Sequence, residues 1–298
     1  MKNCDPILTV VTPTYNRAHL LPGCYESLRR QACKDFEWII VDDGSRDNTD
    51  QVAASFDDCA FPIIYVKKEN GGKHTALNAS HSHIRGKYVL ILDSDDILTD
   101  TAVADIIRAW DKYEDREEIG IVTFLKSTPD GTIFASVRDY DTPVDILTYP
   151  RTVNLGNDCC EVIRAELFKK YPFPVFEGER FLSEGVLWNQ VAKTHKCVYI
   201  NNPIYLCEYL EDGLTKAGRA LRIRNPRGGM LSASFGMSRE NSLRQRIKSG
   251  LLYTCYGFFA GMTPVQTVKQ CREKSIACLC LPFGWALYRY WKQKYHKQ

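Results

Sequence analysis

The 298 residues contain no continuous apolar run of the ~18 residues that a membrane-spanning helix needs. The start has no secretory pattern either. After Lys2 the apolar stretch 6–11 is too short for a signal peptide, and no small-residue cleavage site follows it. The twelve cysteines show neither paired C-x-x-C spacings nor a Cys/His cluster, which argues against a zinc module. Without a leader they are expected as reduced thiols in a cytosolic protein, with Cys159–Cys160 and Cys278/Cys280 as small buried apolar residues. Internal repeats and low-complexity segments are missing too. Acidic residues are scarce in one place only: residues 215–298 carry 16 Lys/Arg against 2 Asp/Glu.

What is present is ordinary globular composition, with 44% hydrophobic and 25% charged residues, which excludes a disordered or collagen-like chain. Residues 1–214 carry 23 Lys/Arg against 34 Asp/Glu, so the net charge of +3 hides an acidic body and a basic tail. Such a tail is expected to meet an anionic partner. Two of its segments, 249–268 and 275–288, carry no charge, and the second runs into Arg289, Tyr290, Trp291, Lys292, Lys294 and Lys297. Aromatic residues beside basic ones suit an interfacial segment on an anionic membrane face; two ordinary core helices ending in a solvated basic terminus are the alternative.

Over the first hundred residues, short apolar runs alternate with helical patterns. Runs 7–11, 38–41, 63–66 and 88–92 predict buried strands, and segments near 18–30, 48–56 and 73–84 predict helices. This alternation means βαβ units and a mostly parallel sheet, an α/β fold with helices on both faces. Farther on, a helix is expected over 99–113 with Thr99 as its cap. Strands are expected over 119–125 and 132–137 around an Asp130-Gly131 turn, a helix over 183–193, and closing strands over 197–200 and 204–208. Residues 1–214 are expected to form one catalytic domain and 215–298 a helical, basic segment.

In parallel sheets the ligand site lies beyond the carboxyl ends of the strands. The chemistry-bearing residues follow the apolar runs: Thr12-Pro13-Thr14-Tyr15-Asn16-Arg17, then Asp42-Asp43-Gly44-Ser45, then Asp93-Ser94-Asp95-Asp96. Three carboxylates within four positions raise one another's pKa or hold a cation, and hard oxygen donors favour Mg²⁺ or Mn²⁺. An Asp-rich turn capping the next helix is the alternative. A carboxylate at 42–43 can accept N–H bonds from a base or ribose hydroxyls, or serve an Asx-turn. Tyr15 offers a stacking face, and Gly71-Gly72-Lys73 opens a helix whose free N–H groups and lysine suit a phosphate.

Together the runs VVTPTYNRAHLL, DFEWIIVDDGSRDNT, NGGKHTALNAS and GKYVLILDSDD resemble glycosyltransferase family 2, inverting sugar transferases of the GT-A fold. The order and spacing match over 7–96 and continue less sharply to about 210. The resemblance implies a Rossmann-like nucleotide-binding sheet and a nucleotide-sugar donor, most often a UDP-sugar, bound through a divalent metal. By the same resemblance, Pro13 and Tyr15 hold the base, Asp43 reads the uracil edge, Asp93 contacts ribose and metal, and Asp95 is the main metal ligand, with Asp96 sharing that role. FLSEGVLWNQVA is similar to the family's later acidic motif and makes Glu184 the general base. The chain departs from the family in having Ser183-Glu184 where Glu-Asp is common. It also has Leu77 where an Arg is usual, which leaves Lys73 for the diphosphate.

Inverting transfer needs one carboxylate to take the acceptor's proton and a cation to compensate the departing diphosphate. The Gly-flanked segment 210–219 is expected as a mobile loop bringing Lys216 or Arg219 over the diphosphate, or as a linker into the tail. The reading is therefore a Mn²⁺- or Mg²⁺-dependent glycosyltransferase on the inner face of the cell membrane. It would act on a lipid-linked glycan in surface polysaccharide assembly. A sugar nucleotidyltransferase and a non-catalytic nucleotide-sugar-binding module are the rivals. Nucleic acid is not expected as a partner, since the body is anionic and no recognised motif is present.

Overall fold

The four apolar runs become the first four strands. In the computed structural model, which describes residues 5–56, 60–135, 137–147, 149, 159–207 and 214–295, β1 (Leu8–Thr14), β2 (Phe36–Asp42), β3 (Ile63–Lys67) and β4 (Tyr88–Ile91) pair in parallel. Helices α1 (Leu21–Arg29), α2 (Thr49–Ala54) and α3 (Lys73–Ser80) are the crossovers. Every residue of β1 and β2 is buried, because helices cover both faces, and this is why their sequences show continuous apolar runs instead of alternation.

After α3 follow β5 (Ile97–Leu98), α4 (Ala102–Asp111), β6 (Ile119–Ser127), β7 (Pro143–Val144), β8 (Cys160–Arg164), α5 (Ala165–Lys170), α6 (Gly185–Val191) and β9 (Lys196–Leu206). The strand order is β3-β2-β1-β4-β8-β6-β9-β5, with β7 on β9. From β1 the chain winds outward to β3 and then returns to β4 on the other side of β1. The winding direction therefore reverses between β1 and β4, where parallel α/β sheets open a ligand crevice at the strands' carboxyl ends. Beyond β4 the sheet is mixed, because β8 runs antiparallel to both β4 and β6.

Several local expectations are corrected. The α4 helix begins after Thr101, not Thr99. Thr99 extends the sheet edge by donating to the Ile204 carbonyl, and the buried Gln31 amide oxygen accepts from Val103 N at 3.0 Å in place of a local cap. Among the described residues, segment 132–137 contributes an isolated bridge from Ile133 to Ser127, not a strand. The two closing strands are one, β9, which loops out between Tyr199 and Pro203 while its partner β6 advances from Thr123 to Leu125. Such a bulge tolerates a proline.

The chain divides into two compact units: residues 1–173 with 187–208, and residues 174–186 with 209–298. Segment 174–186 thus groups with the C-terminal helices, whereas the expected boundary lay at 214. The first unit holds the whole sheet and a core that includes Trp38, Leu90, Val103, Trp110 and Phe124. Tyr88 and Trp110 stack at 4.1 Å between ring centroids.

The second unit contains α7 (Leu214–Arg224), α8 (Pro226–Gly236), α9 (Leu243–Phe259), α10 (Pro264–Gln270) and α11 (Lys274–Tyr295). Glu179 ties segment 174–186 to it, accepting from the first amides of α8, Arg227 N at 2.7 Å and Gly228 N at 2.8 Å. Asn225 Oδ1 does the same for Arg180 N and Phe181 N. The α9–α11 contact is close because a Cβ at Gly284 would lie 2.0 Å from Thr254 Oγ1. The uncharged stretch 249–268 is broken at Gly261, whose φ of +74° ends the helix. No helix among the described residues is long and apolar enough to cross a membrane. Cys159, Cys160 and Cys280 are buried as expected, but Cys278 is exposed because it lies on the outer face of α11.

Candidate functional site

The strand-end motifs converge at the reversal point. Amides alternate sides along a strand. Val11 O accepts from Leu92 N on the β4 side and Thr14 O accepts from Asp43 N on the β2 side, so the missing N–H of Pro13 falls on the β4 side, past the end of that ladder. Beyond β1, Asn16 takes a positive φ of 52° and locks onto the neighbouring loop. Its N–H donates to Ser45 Oγ at 2.9 Å, and its Oδ1 accepts from Arg46 N at 2.8 Å. Tyr15, between these anchors, is 40% exposed and offers its ring to solvent.

The two aspartates after β2 divide their work. Asp42 is fully buried and accepts from Ser45 N at 2.7 Å and the Tyr65 hydroxyl at 2.6 Å, shaping the turn. Asp43 points the other way. Its carboxylate accepts from Gly71 N at 2.9 Å, Gly72 N at 2.6 Å, Lys68 Nζ at 2.7 Å and Asn70 Nδ2 at 3.1 Å. It thereby holds the Gly-Gly turn that starts α3. Gly44 permits this approach: its φ is +80°, and a Cβ there would lie 2.8 Å from Asn70 N. Two buried polar atoms around Asp43 lack a partner among the described residues, Thr14 Oγ1 and His74 Nδ1. Burial keeps the His74 imidazole below its ordinary pKa, against the pull of Asp43.

Fixing the turn sets the first residue of α3. Lys73 Nζ lies 2.5 Å from Asp93 Oδ1, just past the end of β4. Asp93, Asp95 and Asp96 each place a carboxylate oxygen within 4.8 Å of the others. They are half-buried, exposed and buried, respectively. Burial pushes Asp96 up to about 7, with Asp93 adding to the shift; burial and Asp93 also raise Asp95. Burial works on Asp93 in the same sense, but Lys73 and Lys126 overcome it and hold its carboxyl below the ordinary range.

Two residues of this cluster carry no motif signal. Tyr205 on β9 accepts from Asp93 N at 3.0 Å through its hydroxyl and hydrogen-bonds the Asp96 side chain. Lys126 near the end of β6 sets its ammonium 4.1 Å from the Tyr205 ring centroid. Burial opposes its charge, yet Asp93, Glu161 and Asp96 raise its pKa. A lysine near the end of the apolar run of β6 is the one hint the sequence offered. Three oxygen donors this close, neutralised by lysines, fit a hard divalent cation.

The structure thus brings Lys73, Asp93, Asp95 and Asp96 together, with Pro13, Tyr15 and Asp43 on the adjoining strand ends. Glu184 belongs to the second unit, half-buried and immediately before α6, where the Ser183 carbonyl accepts from Val186 N. Residues 208–213 and the side chain of Lys216 lie outside the described residues. The 214–224 segment is helical with a break at Gly218, and Arg219 stacks its guanidinium 4.4 Å from the Trp291 ring centroid.

A half-parallel sheet with an acidic cluster at its reversal point defines a GT-A nucleotide-binding architecture. The family model "Glycosyl transferase family 2" matches residues 9–171, more than half of the chain, and the chain belongs to that family. An uncharacterised glycosyltransferase of Rickettsia typhi is 27% identical over 215 residues, covering 71% of this chain and 66% of the relative. Glycosyltransferase GlyG of Streptococcus pneumoniae is 28% identical over 213 residues, covering 67% and 70%. The chain spans 52% of a second rickettsial glycosyltransferase, from Rickettsia prowazekii, at 30% identity. Among solved structures, S. aureus TarS 1–349 in complex with UDP-GlcNAc aligns with a TM-score of 0.62 at 15% identity, covering 96% of this chain and 92% of that one. The mannosyltransferase PcManGT of Pyrobaculum calidifontis, in complex with GDP-Man and Mn²⁺, aligns with a TM-score of 0.58 at 17% identity, covering 98% and 84%. At these identities the structural matches establish the fold.

Proposed function

We propose that the chain is an inverting, metal-dependent glycosyltransferase that moves a sugar from a nucleotide-sugar donor, a UDP-sugar in the first instance, to an acceptor hydroxyl. The observation that carries this reading is the meeting of Lys73 with the Asp93, Asp95 and Asp96 carboxylates at the sheet's reversal point. A nucleoside diphosphate leaving group needs cationic compensation, which a lysine and a metal held by these carboxylates would supply. Family membership and the nucleotide-sugar complexes of TarS and PcManGT support it.

Within this reading Pro13 and Tyr15 flank the base. Asp43 was expected to read the uracil edge, but both of its carboxylate oxygens already accept from Gly71, Gly72, Lys68 and Asn70, so in this reading it supports the base site by fixing the Gly71-Gly72 turn. Asp93, Asp95 and Asp96 hold Mn²⁺ or Mg²⁺, which when bound compensates the charge developing on the diphosphate. Lys73 is already aimed at the same carboxylates and shares that task, and Lys216 and Arg219 are proposed as further diphosphate contacts. Glu184, at its spacing from Leu187 and Trp188, takes the acceptor proton as the hydroxyl oxygen attacks the anomeric carbon from the face opposite the leaving group.

The acceptor is proposed to be a lipid-linked glycan in surface polysaccharide assembly at the cytosolic membrane face, with the basic C-terminal segment providing membrane contact. The support is its 16 Lys/Arg against 2 Asp/Glu. The test is a donor screen: purified protein with Mn²⁺ or Mg²⁺, a panel of UDP-, GDP- and dTDP-sugars, and Asp95→Ala alongside. Metal-dependent release of nucleoside diphosphate from one donor, lost in the variant, is the expected result. Release of pyrophosphate would identify a nucleotidyltransferase. Binding of UDP and Mn²⁺ with turnover unaffected by Glu184→Gln would leave only a binding module.

A further inference from the structure

The outer face of α11 is more apolar than a solvent-facing helix needs to be. Leu279, Phe283, Trp285 and Tyr290 are 58%, 64%, 50% and 57% exposed within a dozen residues. Leu279, Phe283, Ala286 and Tyr290 follow an i, i+4, i+7, i+11 stripe, while Trp285 lies about 100° round the helix from it, on the flank that carries Arg289 and Lys292. An adjoining face satisfies the core: Ile276, Ala277, Cys280, Gly284 and Trp291 are buried. The helix therefore has two apolar faces, and only one of them is covered by its own unit. Exposed aromatic and aliphatic side chains grouped in this way mark an interaction surface.

Charge identifies the partner. From Lys274 to the last residue the sequence has five Lys/Arg and no Asp/Glu. Arg289 lies 5.4 Å from the Trp285 ring centroid and Lys292 5.5 Å from that of Tyr288. Such pairs place a ring at the depth of lipid headgroups while the long cationic side chain reaches the phosphates. Since α11 does not meet the requirement for a spanning helix, its geometry suits lying in the plane of the interface.

We propose that α11 docks flat on an anionic lipid bilayer, with Leu279, Phe283 and Tyr290 entering the headgroup–acyl boundary and the flank of Trp285, Arg289 and Lys292 lying at the level of the lipid phosphates. This deepens the membrane contact proposed above and rests on it, while being independent of the transferase chemistry. It also corrects the sequence reading, which placed Trp291 among the interfacial residues: Trp291 is 3% exposed and packs inward.

The full chain would be sedimented with vesicles of phosphatidylcholine plus phosphatidylglycerol and with vesicles of phosphatidylcholine alone. Binding to the anionic vesicles is expected, weakening with salt. It should fall about tenfold or more in Phe283→Ser/Trp285→Ser and in Arg289→Glu/Lys292→Glu. All four positions are solvent-facing, so circular dichroism should show unchanged folding. Absence of binding, or equal binding by the double variants, overturns the proposal. So does a dimer in sedimentation velocity that Phe283→Ser/Trp285→Ser dissociates, which would assign the face to a second copy. Calorimetry with UDP and Mn²⁺ on the same variants reads the nucleotide site separately, so failure of one reading is distinguishable from failure of the other.

Discussion

Lys73 Nζ lies 2.5 Å from a carboxylate oxygen of Asp93. The lysine opens α3 and the aspartate ends β4, so the pair joins the phosphate-type helix start to the acidic cluster. The ammonium is thus a built-in cation beside the carboxylates proposed to hold a metal, and in the proposed reaction it would compete with that metal while helping to neutralise a diphosphate.

Replacing it separates those effects. Lys73→Gln should tighten binding of Mn²⁺ alone, since Asp93 loses its counter-charge, yet slow donor turnover about 10²-fold as a diphosphate contact disappears. Mn²⁺ titration followed by electron paramagnetic resonance, beside a nucleotide-release assay, reads both. Unchanged metal affinity would mean that Asp93 takes no part in binding it.

Asp95 is the exposed member of the cluster, so its removal should disturb folding least and metal binding most. Asp95→Ala should keep its melting temperature and lose Mn²⁺-dependent UDP binding in calorimetry. Chelation of the wild-type protein should produce the same loss. A variant that retains metal-dependent binding would shift the ligand role to Asp93 and Asp96.

Glu184→Gln preserves size and removes the basic carboxylate. Turnover should fall about 10²–10⁴-fold with UDP affinity nearly unchanged. The proposed base role ends if kcat holds, or if the loss appears in nucleotide affinity instead.

Tyr205→Phe deletes the hydroxyl that accepts from Asp93 N and bonds Asp96. Leaving that amide without its partner should cost about 1–3 kcal/mol, visible as a lower melting temperature, and should loosen the carboxylates enough to weaken Mn²⁺ binding. Wild-type metal affinity in a destabilised protein would make Tyr205 purely structural.

Gly44→Ala should destabilise by about 1–3 kcal/mol, because alanine resists the φ of +80° and its Cβ would meet Asn70 N. Chemical denaturation measures the loss. A neutral result would show that the loop relaxes without harm to the turn held by Asp43.

Much of the first unit was legible in the sequence. The apolar runs at 38–41, 63–66 and 88–92 sit inside β2, β3 and β4 with small changes at the ends, since continuous Ile, Val and Leu between turn residues describe a strand covered on both sides. The acidic motif and the lysine were visible as residue types, and the rule that ligands gather at strand ends put them in one place. Thr99 is a cap-type residue at the right spacing, yet a side chain distant along the chain, Gln31, accepts from the first turn of α4 instead. Segment 132–137 follows the Asp130-Gly131 turn as expected, but among the described residues it meets β6 only through the Ile133–Ser127 bridge and the bond from Phe134 N to Lys126 O.

By itself, then, the sequence determined the period of each element, the turns that punctuate them, the charge division and the motifs that mark the family. Each of these depends on neighbours a few positions apart. Only the tertiary structure decided that β8 enters antiparallel beside β4, that Asp43 clamps Gly71 and Gly72, that Lys126 and Tyr205 stand beside the carboxylates, and that Trp291 turns inward while Phe283 and Trp285 turn out. Those outcomes depend on contacts between residues distant along the chain, where register and packing choose among arrangements that local preference leaves equal in energy.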